Sequence, residues 1–271
     1  MAMAEDEHVA RLYQQIEFAK GCLESAREGG DYFPASDEDY VHAAIALHLT
    51  VLELTDACLQ LAHVRRGTAV PIIARSLFEA AVDLRNLLLD PGYVDRLHAA
   101  NAEQMLSLTT GNMSRQFLGN LLDVPDVTAE IRRLEELLAK LKREGKGAWT
   151  IKKKCKRIGA LGYYEGTYRL LCLDTHSNLA ALAERHMAPA GEGVLFTVFG
   201  ETDTVALRLR IGMVTELAVE SITGTHAAFR TGHAPCLGMR ERFLGARSDL
   251  MAGLDSDGGR FAAAEAAEQA C

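Results

Sequence analysis

Two side chains able to handle a phosphate and a proton, Arg169 and His176, lie seven residues apart in the stretch "YRLLCLDTHSNLAALAERH", residues 168–186. At about 100° per residue this spacing puts His176 about 20° from Arg169 and two turns further along one helix. Cys172, Leu173, Ala180, Ala183 and Met187 fall within about 60° of the same line, whereas Asp174, Ser177, Asn178, Glu184 and Arg185 take the opposite arc. The pair is therefore expected on the apolar side, where a guanidinium needs a carboxylate, a carbonyl or a phosphate. In a packing reading, Arg169 pairs with Glu79 or Asp83 and His176 donates a bond within the core. In a chemical reading the same network lines a cleft, where Arg169 holds an anion and His176 moves a proton near neutral pH.

Just before this stretch, residues 140–157 ("KLKREGKGAWTIKKKCKR") carry nine Lys or Arg against the single Glu144, a local charge of +8 in a chain whose total is −8. Such a run is ordinarily a solvated helix end and loop. Lys152, Lys153 and Lys154 are its candidates for phosphate binding. Other chemistry is weakly signalled. His42, His48 and His63 share one segment, but His42 and His48 fall on different faces and no H-E-x-x-H occurs, so no metal site and no cofactor are expected. His98 reads as a helix-surface residue. Cys172 shares the Arg169 face, but a single helical Cys among leucines reads as a small core residue. The pairs "EGG" and "DGG" lack the strand-to-helix context of a phosphate loop.

The elements that must position these residues read as helices nearly throughout. Residues 5–28 form a first amphipathic segment, stopped by "EGGDYFP". Ser36 followed by three acidic residues has the composition of a helix start, and that helix runs to Arg65 or Arg66 with Gly67 as its stop. "PIIARSLFEAAVDLRNLLLDP" has Pro71 in an acceptable first turn and Asp90-Pro91 as its exit. Ala74, Leu77, Phe78, Ala80, Ala81, Leu84 and Leu88 cover more than half its circumference, and Arg75, Glu79, Asp83 and Asn86 crowd into one strip. Such a helix is expected to be surrounded by others, so its polar strip needs partners or an opening to water. Further helices are expected at about 91–118, 125–144, 149–158, 162–187 and 237–252 and through "TDTVALRLRIGMVTELAVESITGTHAAF", with "VLFTVFG" ambiguous between strand and helix entry.

These segments make an all-α protein, a single multi-helix bundle over residues 1–251 with short loops, followed by a loosely held Ala-, Gly- and acid-rich tail at 252–271. The six cysteines are scattered with no C-x-x-C, which suits a reducing cytoplasm rather than a disulfide or zinc-ribbon scaffold. The acidic amino terminus lacks the order of a signal peptide, and the apolar windows are broken by His or charge, so no membrane span is expected. The acidic total discourages non-specific adhesion to nucleic acid or lipid over most of the surface.

Trp149, "IGALGYYEGTYRLLCLDTHSNLAALAERH" and "ARSLFEAAVDLRNLLLDP" together resemble a bacterial all-helical family, domain-of-unknown-function family 5677, over about residues 40–190. The matching pieces are Arg75 and Glu79 in "RSLFE", Tyr168 and Arg169, and His176 with Asn178 in "THSN". This resemblance implies fold more than function. A weaker one links Arg169-x6-His176 to the R-x(4–6)-H pattern of the HEPN superfamily of helical bundles, many of them metal-independent ribonucleases of toxin and phage-defence systems. It implies that Arg169 would steady a scissile phosphate and His176 would act as acid or base for attack by a 2′-hydroxyl, with two copies meeting across a dimer. Leu170 departs from that pattern, since the position after the Arg is often polar. The preferred expectation is a binding or regulatory module with a structural polar centre, able to dimerise through a helix face; the alternative is a ribonuclease acting on RNA.

Overall fold

The computed structural model describes residues 5–110, 125–175, 182–183, 186–190, 193–196 and 203–252. His176, Asn178 and all of the expected 252–271 tail but Ala252 lie outside the described residues. The architecture is all-α. In chain order the larger helices are α1 (Glu5–Gly29), α2 (Asp39–His63), α3 (Val70–Leu89), α4 (Val94–Thr110) and α5 (Pro125–Arg143). They are followed by α6 (Ile151–Arg157), α7 (Leu161–Tyr163), a π-helical turn (Tyr164–Tyr168) and α8 (Arg169–Thr175). Two short strands, β1 (Met187–Ala190) and β2 (Gly193–Phe196), pair antiparallel with Met187 opposite Phe196. The chain then returns to helix in α9 (Thr204–Ala228), α10 (Ala234–Leu237) and α11 (Met239–Met251).

Local chemistry explains most boundaries. Pro71 sits in the first turn of α3, where its missing N–H is not needed. Thr150 starts α6, its Oγ1 accepting from the Lys153 N–H at 3.4 Å, and Asp203 caps α9 by accepting from Val205 N–H at 2.8 Å. Ser36 does not cap α2: its Oγ accepts from Glu38 N–H at 3.1 Å in the turn before the helix, which begins at Asp39. The end of α2 also comes early. Arg65, at φ 55°, reverses the chain and lets Arg66 N–H reach Leu61 O at 2.8 Å, so the helix stops at His63 without using Gly67.

The core lies where α3 meets α2 and α9, with α1 completing the layer. Leu12, Ile16, Val51, Leu59, Leu77, Phe78, Leu207 and Ile211 are fully or almost fully buried there, on the helical spacing read from the sequence. By length and composition α2 is apolar enough to cross a membrane, a departure from the expectation that His48 and Glu53 break the window. In this fold its inward stripe, Val41, Ala44, His48, Val51, Thr55, Cys58 and Ala62, is buried within the protein. Arg208 of α9 is also fully buried. Its Nη2 donates to Leu250 O (3.1 Å) and Ala252 O (2.8 Å), which ties the end of α11 to the bundle, and burial pulls its pKa below the usual arginine value.

α4 and α5 pack chiefly on one another, and the loop after α5 is held by Arg96, which donates to Gly145 O (3.0 Å) and Gly147 O (2.9 Å). This delivers Trp149 and α6 to the flank of α3. The expected helix at 162–187 is not continuous as described: a π turn occupies 164–168 and Met187 begins β1. "VLFTVFG" resolves into strand over 194–196.

The central place of α3 makes a direct test. Leu77→Ala, at a fully buried position, is expected to cost about 2–5 kcal/mol in urea unfolding. Leu170→Ala, at a position 45% exposed, is expected to change stability by no more than about 0.5 kcal/mol.

Candidate functional site

The polar strip of α3 finds its partners on three later segments. Glu79 accepts from Tyr168 Oη at 2.7 Å and from Arg75 Nε at 3.2 Å, and the Arg75 guanidinium lies 5.6 Å from the Tyr168 ring centre. One turn on, Asp83 accepts from Lys154 Nζ at 2.8–2.9 Å and from Tyr93 Oη at 2.6 Å. Asn86, fully buried, donates to Val82 O (2.8 Å) and Lys154 O (3.3 Å), and Asp90 pairs with Arg157 at 2.8 Å. Burial, reinforced by the carboxylate that accepts each proton, holds the hydroxyls of Tyr168 and Tyr93 well above the usual tyrosine pKa. Both phenols therefore act as fixed donors.

Arg169 is not in this network, contrary to the expectation that it would pair with Glu79 or Asp83. It is exposed, as are Leu170 and Leu173, while Tyr168 and Leu171 are buried and Cys172 is half-buried against the core. The inward direction of α8 is thus rotated by about 100° from the arc drawn through Arg169. That arc assumed one regular helix reaching Met187. Met187, the far end of that arc, belongs to a strand. Tyr168 wins the inward place because its ring packs on Phe78, at 5.3 Å between centres, while its hydroxyl reaches Glu79. Arg169 is therefore not buried against Glu79, whose partners are Tyr168 and Arg75.

The three candidate lysines of α6 part company. Lys154 turns inward to Asp83, with only 14% and 15% of the two side chains exposed, so it is a structural cation. Lys152 and Lys153 are exposed and lie over rings, 5.9 Å from the centre of Tyr164 and 4.7 Å from that of Trp149. Arg96 and Arg157 also sit by Trp149, at 4.0 and 5.4 Å. Trp149, half-buried and 5.8 Å from Tyr93, is the hub of a basic and aromatic face that sequence spacing does not reveal, because Arg96 reaches it from α4.

The remaining candidates are quiet. His42 Nε2 lies 2.6 Å from Ser36 O, His63 packs edge-on against Tyr13, and His98 is an exposed helix residue near Asp39. Cys22, Cys58, Cys155 and Cys236 are buried free thiols, and burial pushes each up, to about 11 for Cys22, Cys155 and Cys236 and about 12 for Cys58. One group escaped the sequence reading altogether: His226, His233 and Cys236 lie together at the end of α1. The signal was present as H-x6-H-x-x-C in "HAAFRTGHAPC", a spacing outside the H-E-x-x-H and C-x-x-C patterns.

Exposure separates the two carboxylates of the strip. Asp83→Ala strands Lys154 and Tyr93 in a nearly closed site and is expected to cost about 3–5 kcal/mol. Glu79→Ala leaves partners that water can reach, since 42% of Glu79 and 32% of Arg75 are exposed, and is expected to cost about 1 kcal/mol. Equal losses in urea unfolding would refute this ordering.

The chain matches the family described as a family of unknown function, DUF5677, over residues 41–193. No curated protein and no solved structure matches it. The matched span runs from α2 to β2 and contains the whole strip of α3 with every partner described above. It covers more than half of the chain, which therefore belongs to the DUF5677 family.

Proposed function

We propose that this protein is a helical binding module that takes up phosphate-bearing ligands on the face of Trp149 and α6, with the polar strip of α3 as its internal frame. One observation carries the reading: Glu79 and Asp83 are spent on side chains packed against α3, whereas Lys152 and Lys153 stand exposed over aromatic rings. A carboxylate already holding a phenol and a cation in place supplies rigidity rather than proton transfer. Cations grouped around aromatic rings suit a flexible polyanion with planar bases, for which charge supplies affinity and rings supply stacking. Within the cationic run at 140–157, Lys142, Lys146, Lys154 and Arg157 are paired with carboxylates, so the attraction rests on Lys152, Lys153 and the remaining cations. A second reading, a ribonuclease built on Arg169 and His176, is favoured by the exposure of Arg169, and its His176 lies outside the described residues.

Fluorescence anisotropy with a labelled single-stranded RNA oligomer at low salt tests both. Lys152→Glu with Lys153→Glu is expected to weaken binding at least tenfold, and the slope of log affinity against log salt should become shallower by about 0.7 for each phosphate no longer neutralised. Arg169→Ala should bind as the wild type does, and the RNA should stay intact without metal. Unchanged affinity in the double variant would overturn the binding face. Metal-free cleavage that disappears in Arg169→Ala would favour the ribonuclease.

A further inference from the structure

We propose that the chain holds one divalent metal ion of the zinc class where the end of α1 meets the α9–α10 turn, ligated by His226 Nε2, His233 Nδ1 and Cys236 Sγ. One ring nitrogen of each histidine and Cys236 Sγ lie within 4.8 Å of one another, and the three residues are 0%, 8% and 0% exposed. A tetrahedral zinc site places two nitrogens and a sulfur about 3.3–3.5 Å apart, so binding shortens the widest separation by at most about 1.5 Å. His233 Nδ1 already stands 3.0 Å from Cys236 Sγ.

His226 gives the strongest indication. Its Nδ1 lies 2.8 Å from Thr231 Oγ1, while its Nε2 is buried with no hydrogen-bond partner. A buried polar nitrogen without a partner is costly, and in the tautomer whose Nδ1–H donates to Thr231 Oγ1 the Nε2 lone pair is free for a metal. Thr231 Oγ1 also accepts from His233 N–H at 3.4 Å, so one side chain orients both histidines.

Gly29 supplies the room. It ends α1 with φ −74° and ψ −12°, ordinary helical values that any residue adopts, so its backbone does not require glycine. Space does: a Cβ there would stand 2.7 Å from His226 Cε1, 2.9 Å from His233 Nδ1 and 2.9 Å from Cys236 Sγ. All three groups converge on its bare face. Phe33 covers His226 and Tyr32 covers His233, at 4.8 and 4.9 Å between ring centres, which keeps the site dry.

Two imidazoles and a thiolate suit zinc or cobalt and not magnesium or calcium, which take oxygen ligands. On binding, the Cys236 proton passes to solvent and Sγ gives up its 3.3 Å hydrogen bond to Ser25 O in exchange for the metal. The ion would clamp a turn that includes Arg230 at φ 51° and Gly232 at φ 74°, and would anchor the four-residue α10, too short to persist alone. The ligands fall outside residues 41–193, so the site is independent of the family match.

Cobalt titration of the full-length, chelator-treated protein tests it. One equivalent of Co2+ should raise a thiolate-to-cobalt band in the near ultraviolet together with tetrahedral visible bands, and zinc should displace both. Cys236→Ser should abolish the near-ultraviolet band, His233→Gln should weaken cobalt affinity at least tenfold, and Cys172→Ser should behave as wild type. Circular dichroism of each variant checks that it is folded. Absence of the thiolate band in folded wild-type protein at one equivalent overturns the proposal, as does its persistence in Cys236→Ser.

Discussion

The covering of α3 is the constraint from which the rest follows. This helix is apolar around most of its circumference, with Val70, Ala74, Leu77, Phe78, Leu84 and Leu87 all buried, so it must be enclosed. Enclosure also reaches the strip that carries Glu79, Asp83 and Asn86. A buried carboxylate without a partner costs far more than the pair returns, so the Asp83–Lys154–Tyr93 group is a condition that the fold must meet and adds little net stability. The stabilising free energy comes from the apolar side, at about 25 cal/mol per Å2 buried. The strip decides which segments can lie over it.

That selection reaches the surface. α6 has seven residues and would not persist alone, and it is held because Lys154 and Cys155 turn inward. Helix geometry then sends Lys152, Lys153 and Lys156 outward. One short helix thereby joins the internal frame to the basic face. Trp149 joins them from the other side, since Arg96 grips the loop carbonyls before it and also lies over its ring.

The helical class, the place of α3 and the need of its strip for partners were legible because they rest on period and composition, which survive without tertiary detail. The direction of Arg169 was not. A projection assumes a constant 100° per residue over its whole length, and the arc was drawn as far as Met187, which lies in a strand. Ser36 misled for a related reason: its hydroxyl serves a turn as readily as a helix. The roles of Lys154 and Arg96 depend on contacts across 71 and 51 residues of chain, beyond the reach of local spacing. The His226, His233 and Cys236 group was readable as a spacing, but only the approach of Gly29 from α1 gives it meaning.

Native-state hydrogen exchange on Asp83→Asn tests most directly whether the strip holds α6 in place. With the fold intact, amides of residues 151–157 should lose their protection while those of α2 and of the buried face of α3 keep theirs, a local opening of one helix. Protection of α6 unchanged from wild type would contradict the account, as would an equal loss across α2, α3 and α6.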